Sequence, residues 1–240
     1  MRVPDDRAPR PGAVGPAGTS PYEPRVGSLP EPTGTALQGE ELKTGTTTVG
    51  LTTADGVVIA TDMRASLAGR FVANKNVQKV EQIHPTAALT MVGSVGGAQS
   101  FIRTLRAESN LYEARRGEDI GIEALQTLAG NLARGGPFFR IQPILGGVDD
   151  EGHHVASIYP DGGVSPDDYA VTGSGMQLAY GVLEQEYEDD LTNDEASTVA
   201  AHAIQSAAER DTGSGDGIYL ATITEEGVDI EGHTEFDEVL

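Results

Sequence analysis

Thr46 is the residue of this chain in which two reactive groups could act together. It follows Gly45, at the seam between a proline-rich leader and a segment patterned like a buried strand. If the peptide bond between them were cut, Thr46 would carry a hydroxyl nucleophile and a free α-amine that could act as its base. An α-amine has a reference pKa of roughly 7.7 to 8, close to a working pH. A threonine run is also typical of an ordinary β-strand, so the run alone does not decide between the two interpretations.

Lysine is the second informative residue type, because the whole chain has only three lysines. Lys75 and Lys79 are the only ones after the seam, and they lie together within residues 74–79. In a chain that otherwise uses arginine, a compact ammonium at this place could be required by the chemistry. A chance surface position explains the pair equally well from sequence alone.

Other kinds of catalytic site find little support. The chain has no cysteine, which excludes disulfides, thiolate nucleophiles and cysteine metal sites. Phosphate-binding glycine motifs are absent, and residues 172–175 lack the first glycine of a serine nucleophile elbow. His153 and His154 could bind a metal, but adjacent residues of a strand point to opposite faces, so ordinary strand histidines are favoured.

The leader and the remainder of the chain differ in composition. Residues 1–45 hold eight of the 13 prolines and seven glycines, which predicts a disordered segment that is a tail, a linker or a propeptide. Residues 46–240 are long enough for a single domain with one core. The N-terminus lacks the apolar run of a secretory signal, and the longest uncharged stretch, 85–102, is too polar to span a membrane. We therefore expect a soluble, cytoplasmic protein without membrane attachment.

Net charge excludes one class of partner. The chain has a formal net charge of −21, and residues 46–240 contain 11 Lys and Arg against 31 Asp and Glu. Such a surface repels phosphate, so nucleic-acid binding is not expected. The acidic excess could attract cationic partners, but with so few lysines it fits better a protein that stays soluble in high salt, where screening weakens self-repulsion. The composition thus favours a halophilic source.

Periodicity predicts the elements that would position these residues. Strands are predicted at 46–53, 57–62, 87–92, 141–148, 154–159, 169–172, 218–224 and 228–231. Helices are predicted at 98–115, 119–134, 176–187 and 193–210, the last opened by a capping box at residues 192–195. Runs of strands alternating with pairs of helices predict an α+β fold, with two antiparallel sheets between helical layers in a four-layer αββα sandwich.

Several polar residues stand at the ends of these elements. Individually, Asp62, Lys79, Ser174, Asp211 and Ser214 would be read as capping or turn residues. Four short motifs, which contain all of these residues except Lys79, occur in a characteristic order: Thr44-Gly45-Thr46-Thr47-Thr48-Val49-Gly50, then residues 56–66 (GVVIATDMRAS), Thr172-Gly173-Ser174-Gly175 and Arg210-Asp211-Thr212-Gly213-Ser214-Gly215. Together, over residues 44–240, they resemble the β-subunits of the archaeal 20S proteasome. Those subunits are threonine peptidases of the N-terminal nucleophile hydrolase class, and the acidic composition suggests a haloarchaeal member.

The resemblance implies a role for each matching residue. The implied catalytic residues are Thr46, Asp62, Lys79, Ser174, Asp211, Ser214 and Gly93. Thr46 would first cut its own bond to Gly45, removing residues 1–45 as a propeptide, and would then cleave substrates. Asp62 and Lys79 would form a buried ion pair that lowers the proton affinity of the nucleophile.

The remaining implied catalytic residues would assist the nucleophile. Ser174, Asp211 and Ser214 would orient the amine and a water molecule. The Gly93 N–H would stabilise the oxyanion. No metal and no cofactor are implied.

Substrate and partners follow from the same resemblance. An extended, unfolded polypeptide would bind as an added strand beside Ser66, which stands where the family often has Thr. Ala65, Val77 and Met91 would line the pocket for the residue before the cut, and these uncharged side chains predict chymotrypsin-like preference. Family β-subunits form stacked seven-membered rings with α-subunits, α7β7β7α7, and an AAA ATPase acts through the α-ring.

Three rival interpretations remain open at this point. The chain could be a proteasome α-subunit, a member of the bacterial two-ring relative, or a β-subunit that only completes the ring. An α-subunit would have no reason to keep Thr46, Asp62 and Lys79 together. The bacterial relative is shorter and lacks the Arg-Asp-x-x-Ser-Gly context of residues 210–215.

Overall fold

Strands and helices follow the predicted order, and some short strands are added. A computed structural model describes residues 45–67, 69–135 and 140–240, all within one compact unit. The strands of this described part are β1 Thr47–Thr52, β2 Val57–Asp62, β3 Ala65–Leu67, β4 Phe71–Asn74, β5 Val80–His84, β6 Ala87–Thr90, β7 Ile144–Asp149, β8 Gly152–Ile158, β9 Val164–Pro166, β10 Tyr169–Gly173, β11 Ile218–Thr224 and β12 Gly227–His233. Its helices are α1 Val95–Arg116, α2 Ile122–Gly135, α3 Met176–Glu186 and α4 Asn193–Arg210.

Two antiparallel five-stranded sheets form the centre of the fold. The first has the order β10-β1-β2-β11-β12 and the second the order β5-β6-β7-β8-β9, while β3 and β4 form a separate two-stranded sheet. In the first sheet, β1 and β2 pair as the predicted hairpin, with Thr48 opposite Thr61 and Thr52 opposite Val57. Strand β10 pairs with the other edge of β1, placing Thr47 opposite Gly173. This pairing brings two of the family motifs side by side.

Apolar side chains join the two sheets to each other. Val57 and Ile59 of the first sheet pack with Ile144 and Val155 of the second, and all four are almost completely buried. Alternating residues of a strand point to opposite faces, so the other face of each sheet must be covered by another layer. Burial of apolar surface on both faces is the main force that holds such layers together.

The helices supply those outer layers. Phe101 and Leu125, from α1 and α2, pack with Leu145 on one outer face, whereas Ile204 of α4 packs with Val49 on the other. The layers therefore follow the order helices, sheet, sheet, helices. This arrangement confirms the predicted α+β, four-layer αββα sandwich.

Local signals account for the helix ends. Ser94 caps α1 by accepting a hydrogen bond from the Gly97 N–H, and Gly117 ends the helix in a left-handed conformation with φ of 73°. The predicted capping box of α4 is present, because the Thr192 hydroxyl accepts the Glu195 N–H and the Glu195 carboxylate accepts the Thr192 N–H. The C-cap residue of α4 is Asp211, one of the predicted site residues.

Replacing Thr192 with alanine is expected to destabilise the fold by about 1 kcal/mol, because the cap hydroxyl satisfies an N–H donor that the helix leaves unpaired. The change would be measured as the free energy of unfolding in urea at high salt. Thr192→Ser keeps the hydroxyl and serves as the control. An alanine variant as stable as the serine variant would contradict the role of the cap.

Strands β3, β4, β5 and β9 were not predicted from the sequence. These strands have only three to five residues each. Strand β5 carries Glu81, Gln82 and His84 rather than a regular apolar alternation. Such segments become strands only because a neighbouring strand offers them backbone hydrogen bonds, as β6 does for β5.

The described helices include none with the length and apolar character needed to cross a bilayer. The predicted disordered leader, residues 1–45, lies outside the described residues except for Gly45, which is buried. The boundary between leader and domain at residue 46 therefore stays a prediction, although Gly45 packs against the domain in the uncut chain.

Candidate active site

Thr46 lies directly before β1 and is almost completely buried, with 4% of its surface exposed. Its peptide N–H donates to the Ser174 hydroxyl over 3.2 Å, and its carbonyl accepts the Ser174 N–H over 2.8 Å. The nitrogen that would become the α-amine after a cut at Gly45 is therefore already hydrogen-bonded to a hydroxyl. Ser174 follows β10, so the pairing of β10 with β1 creates this contact.

Asp62 and Lys79 form a buried ion pair beside this position. The Lys79 Nζ lies 2.7 Å from Asp62 Oδ1, and the exposed fractions of the two side chains are 5% and 0%. Asp62 ends β2 and Lys79 directly precedes β5, so the pair joins the first sheet to the second. The same Asp62 Oδ1 accepts the Thr47 N–H over 3.0 Å, which places the carboxylate at the peptide group that follows Thr46.

Two further backbone donors complete the surroundings of the Asp62 carboxylate. Its Oδ2 accepts the N–H of Arg64 over 3.0 Å and the N–H of Gly215 over 2.9 Å. With Thr47 and Lys79, four donors satisfy the buried carboxylate. A buried charge with so many partners is held in one place, and this makes it a fixed element of the site.

Burial shifts the pKa of both members of the ion pair. Removal from water raises the pKa of Asp62, and this shift is opposed by the Lys79 ammonium and by the N–H groups of Thr47 and Gly215. Burial likewise lowers the pKa of Lys79, opposed mainly by the Asp62 charge. Burial and the partner's charge therefore act on the pKa of each group in opposite directions.

Ser174, Asp211 and Ser214 form one hydrogen-bonded group. Asp211 Oδ2 accepts hydrogen bonds from both the Ser174 hydroxyl and the Ser214 hydroxyl, the latter over 2.7 Å. The Ser214 Oγ also lies 2.7 Å from the Thr47 hydroxyl oxygen. The aspartate therefore orients the hydroxyl that bonds the nitrogen of Thr46. Sequence reasoning predicted this trio only through the family resemblance.

Gly93 adopts a conformation that favours glycine. Its φ is 98°, and a Cβ added there would lie 1.9 Å from the Arg140 carbonyl oxygen. Gly93 lies between β6 and α1 and forms an isolated β-bridge with Ile141. The two hydrogen bonds of this bridge are made by the residues on either side of Gly93 and Ile141. The structure thus explains why this position is glycine. Its role as the oxyanion donor stays a prediction.

Backbone hydrogen bonds connect two of the predicted substrate-binding residues to segments next to the ion pair. The Met91 N–H donates to the Lys79 carbonyl over 2.6 Å, and the Val77 N–H donates to the Met63 carbonyl over 3.0 Å. The side chains of Ala65, Val77 and Met91 are half-buried. Segments that carry candidate pocket residues are thereby tied to the segments that carry the candidate catalytic residues.

Several contacts of the site were not predicted from the sequence. Arg64 Nε lies 2.7 Å from Asp216 Oδ2, and Asp216 has a φ of 65°, the one positive value among the described residues other than glycine. The Ser66 hydroxyl accepts the Gly45 N–H over 3.1 Å, and the backbone of Gly213 lies against that of Gly45. The only sequence signal for these contacts was the density of glycines in residues 213–217.

The two adjacent histidines turn to different partners. The His153 Nδ1 lies 2.8 Å from the Thr53 carbonyl oxygen, and the His154 Nε2 lies 2.9 Å from Asp149 Oδ1. This separation is what strand geometry predicted for neighbouring residues. Within the parts of the chain that the structure describes, no group of three or more His, Cys, Asp or Glu residues is arranged to hold a metal ion.

Taken together, the arrangement can activate a hydroxyl group. The nitrogen of Thr46 bonds a hydroxyl that is itself held by the Asp211 carboxylate, and the peptide N–H after Thr46 bonds the Asp62 carboxylate of the buried ion pair. Once that nitrogen is an amine, it could accept the hydroxyl proton, because a nucleophile, a base and an orienting group would then be within reach of one another.

The chain is similar to known proteins over most of its length. The sequence profile of the family described as "Proteasome subunit" matches residues 42–223. A "Proteasome subunit beta" of Natrialba magadii is 74% identical over 222 residues, covering 92% of this chain and 91% of that protein. Similar proteins with the same description occur in Natronomonas pharaonis, at 68% identity over the full length of both chains, and in Halobacterium salinarum, at 63% with 92% and 91% covered. These organisms are haloarchaea, which agrees with the source suggested by the acidic composition.

Proposed function

This chain belongs to the proteasome subunit family as a β-subunit, a peptidase of the threonine type, and from that premise we propose that Thr46 is its nucleophile. The observation that carries the proposal is the hydrogen bond from the Thr46 nitrogen to Ser174, whose hydroxyl is held by Asp211. That nitrogen becomes the α-amine when the bond to Gly45 is cut. Its orientation is therefore prepared before the cut.

Self-scission is the first step that we propose. The Thr46 hydroxyl oxygen adds to the Gly45 carbonyl carbon, the bond from that carbon to the Thr46 nitrogen breaks, and the hydroxyl proton passes to the nitrogen. The resulting ester is hydrolysed by water, which releases the leader with a carboxylate on Gly45 and restores the Thr46 hydroxyl beside a free amine. Water is the only co-reactant, so the step needs no cofactor.

Peptide hydrolysis follows in the matured subunit. The Thr46 hydroxyl attacks the carbonyl carbon of the substrate, while its amine, directly or through a water molecule, accepts the proton and passes it to the leaving amine. The acyl ester that remains on Thr46 is then hydrolysed by water. Lys79 favours the developing negative charge on the hydroxyl oxygen, and the Gly93 N–H stabilises the oxyanion on the substrate.

The intact mass of the chain, measured before and after co-assembly with proteasome α-subunits, tests the proposal. We expect the mass of a chain that begins at Thr46 to appear on assembly. A particle that cleaves peptides while all of its β-type chains keep residue 45 would overturn the proposal. A particle with uncut chains and no peptidase activity would instead identify a subunit that only completes the ring.

For substrate preference, we expect fluorogenic peptides with Tyr before the cut to be cleaved faster than those with Arg or Glu. The proposed pocket residues Ala65, Val77 and Met91 offer no charge to pair with either ion, and methionine adapts to large apolar groups. Initial rates with three peptides that differ only at this residue would measure the preference. Faster cleavage after Arg or Glu would remove these residues from the pocket.

As a proteasome subunit, the chain assembles with other proteasome subunits. We propose the α7β7β7α7 arrangement, in which two inner β-rings lie between α-rings and an AAA ATPase delivers unfolded polypeptides through the α-ring. Such an enclosed chamber would let a peptidase of broad specificity work in the cytoplasm. Keeping Thr46 blocked by the leader until assembly would add a second protection, and rapid self-cleavage by isolated subunits would rule that out.

A further inference from the structure

Gly45 is enclosed on several sides by the domain that follows it. Its N–H donates to the Ser66 hydroxyl over 3.1 Å, and Ser66 is 1% exposed. A Cβ added to Gly45 would lie 2.2 Å from the Gly213 Cα and 3.0 Å from the Ser66 Oγ. The next nitrogen along the chain, that of Thr46, is bonded to Ser174. The last residue of the leader is thus held at both of its ends.

The contact with Gly213 is a close approach of two backbones. A Cβ added to Gly213 would lie 2.4 Å from the Gly45 Cα and 3.1 Å from the Gly45 carbonyl carbon. Main-chain atoms cannot move aside by rotating a side chain. The backbone of each glycine therefore leaves no room for a side chain on the other. Gly213 is itself held, because its N–H donates to Asp211 Oδ1 over 3.2 Å.

From these contacts we propose that Ser66 and Gly213 are positioning residues for self-scission. Together they form a clamp, which holds Gly45 so that its carbonyl carbon faces the Thr46 hydroxyl. The inference rests on the self-scission proposed above. Both contacts involve Gly45 itself and therefore vanish when the leader departs. The clamp serves the uncut chain alone, whereas the residues around Asp62 and Asp211 serve both reactions.

The clamp also accounts for a difference between the two reactions. The same hydroxyl cuts after glycine in its own chain and, by the proposal above, after large apolar residues in substrates. Gly213 leaves no room for a side chain on residue 45 in the pose of the uncut chain. A substrate residue with a large side chain must therefore bind in another pose. Self-scission and substrate cleavage consequently differ in how the residue before the cut is held.

Two forms of each variant test the clamp. One form is the full chain, whose self-scission is followed by intact mass during co-assembly with α-subunits. The other carries a removable fusion partner that, once cut off, leaves Thr46 as the first residue, and its peptidase rate is measured after assembly. The second form contains no Gly45. A residue that acts only on the uncut chain will change the first rate far more than the second.

Gly213→Ala is expected to slow self-scission about 100-fold, because a displacement of about 1 Å at a reacting centre can cost that much. With Thr46 exposed beforehand, the same variant should lose far less peptidase activity than scission activity, because the backbone clash with Gly45 is gone and only the 3.0 Å approach of the added Cβ to the Ser174 Oγ remains. Gly181→Ala is the matched control, since Gly181 lies exposed on α3 with no atom near its added Cβ. Retained activity in the exposed form also shows that the variant folds and assembles.

Ser66→Ala should slow self-scission about 5- to 10-fold by removing one hydrogen bond, and Ser66→Thr, which keeps a hydroxyl, should restore it. Because the Ser66 backbone is a proposed substrate contact, the result is read as the ratio of the scission rate to the peptidase rate. Self-scission of Gly213→Ala at the wild-type rate would overturn the proposed clamp, and so would an equal loss of rate in both forms. A wild-type chain that stays uncut, or a Thr46→Ala chain that is cut at residue 45, would instead reject self-scission.

Discussion

Thr46→Ala is expected to abolish both the removal of the leader and the cleavage of peptides. Alanine lacks the hydroxyl that we propose forms the covalent bond in each reaction, and loss of a nucleophile typically lowers the rate by roughly ten-thousand-fold or more. The variant should assemble, because Thr46 contacts Ser174 through backbone atoms that alanine retains. Intact mass and a fluorogenic peptide assay, on particles in which this chain is the sole β-type subunit, would measure both losses.

Thr46→Ser is the matched control for this prediction. It keeps a hydroxyl on the residue that would carry the free amine, so scission and peptidase activity should both persist at a measurable rate. If Thr46→Ala chains still began at residue 46, another agent would be cutting the leader. Peptidase activity that survived in the alanine particle would mean that the nucleophile is a different residue.

Lys79→Ala is expected to have the second largest effect. It would leave the fully buried Asp62 carboxylate without its counter-ion, and breaking a buried ion pair costs about 3 to 5 kcal/mol. In the proposed mechanism the same change also removes the positive charge that favours the ionised hydroxyl of Thr46, so we expect the rate of self-scission and of peptide cleavage to fall at least about 100-fold. Stability in urea and peptide cleavage would be measured on the same preparation.

A neutral double variant separates the two effects of Lys79. In Asp62→Asn with Lys79→Met, no buried charge is left unpaired, and replacing both members of such a pair is often close to neutral for stability. The double variant should therefore recover part of the lost stability while remaining inactive. Full activity in a stable double variant would show that the pair serves only the fold. Lys79→Arg adds a second comparison, because a guanidinium keeps its charge but not the compact shape or the lowered pKa.

The large elements of the fold could be predicted from the sequence because their signals are local. Helix α4 shows its capping box at residues 192–195 and its apolar positions within one continuous segment, and its observed bounds are those predicted. Strand β2 is likewise a continuous apolar run that ends at Asp62. In contrast, β3 and β9 have three residues each and depend on partners that lie elsewhere in the chain. Local periodicity cannot identify such strands.

The candidate site was predictable to the extent that chemistry is tied to residue type. Thr46 stood out because it adjoins the leader, and Lys79 because lysine is scarce. The group around Asp211 came from the resemblance to a known family. The Ser66 hydroxyl and Gly213 were not predicted as partners of Gly45, since neither a serine nor a glycine carries a pattern that names what it will touch.

By itself, the sequence determined the order of the main elements and the acidic composition, and it predicted Thr46 as the residue at which a free amine and a hydroxyl would meet. Only the tertiary structure decided that the Asp62 carboxylate reaches the peptide group after Thr46, and that the loop after α4 closes on Gly45. Helix periods and caps arise from neighbours in the chain. Contacts between distant segments arise from how the sheets and helices pack, which a single sequence does not state residue by residue.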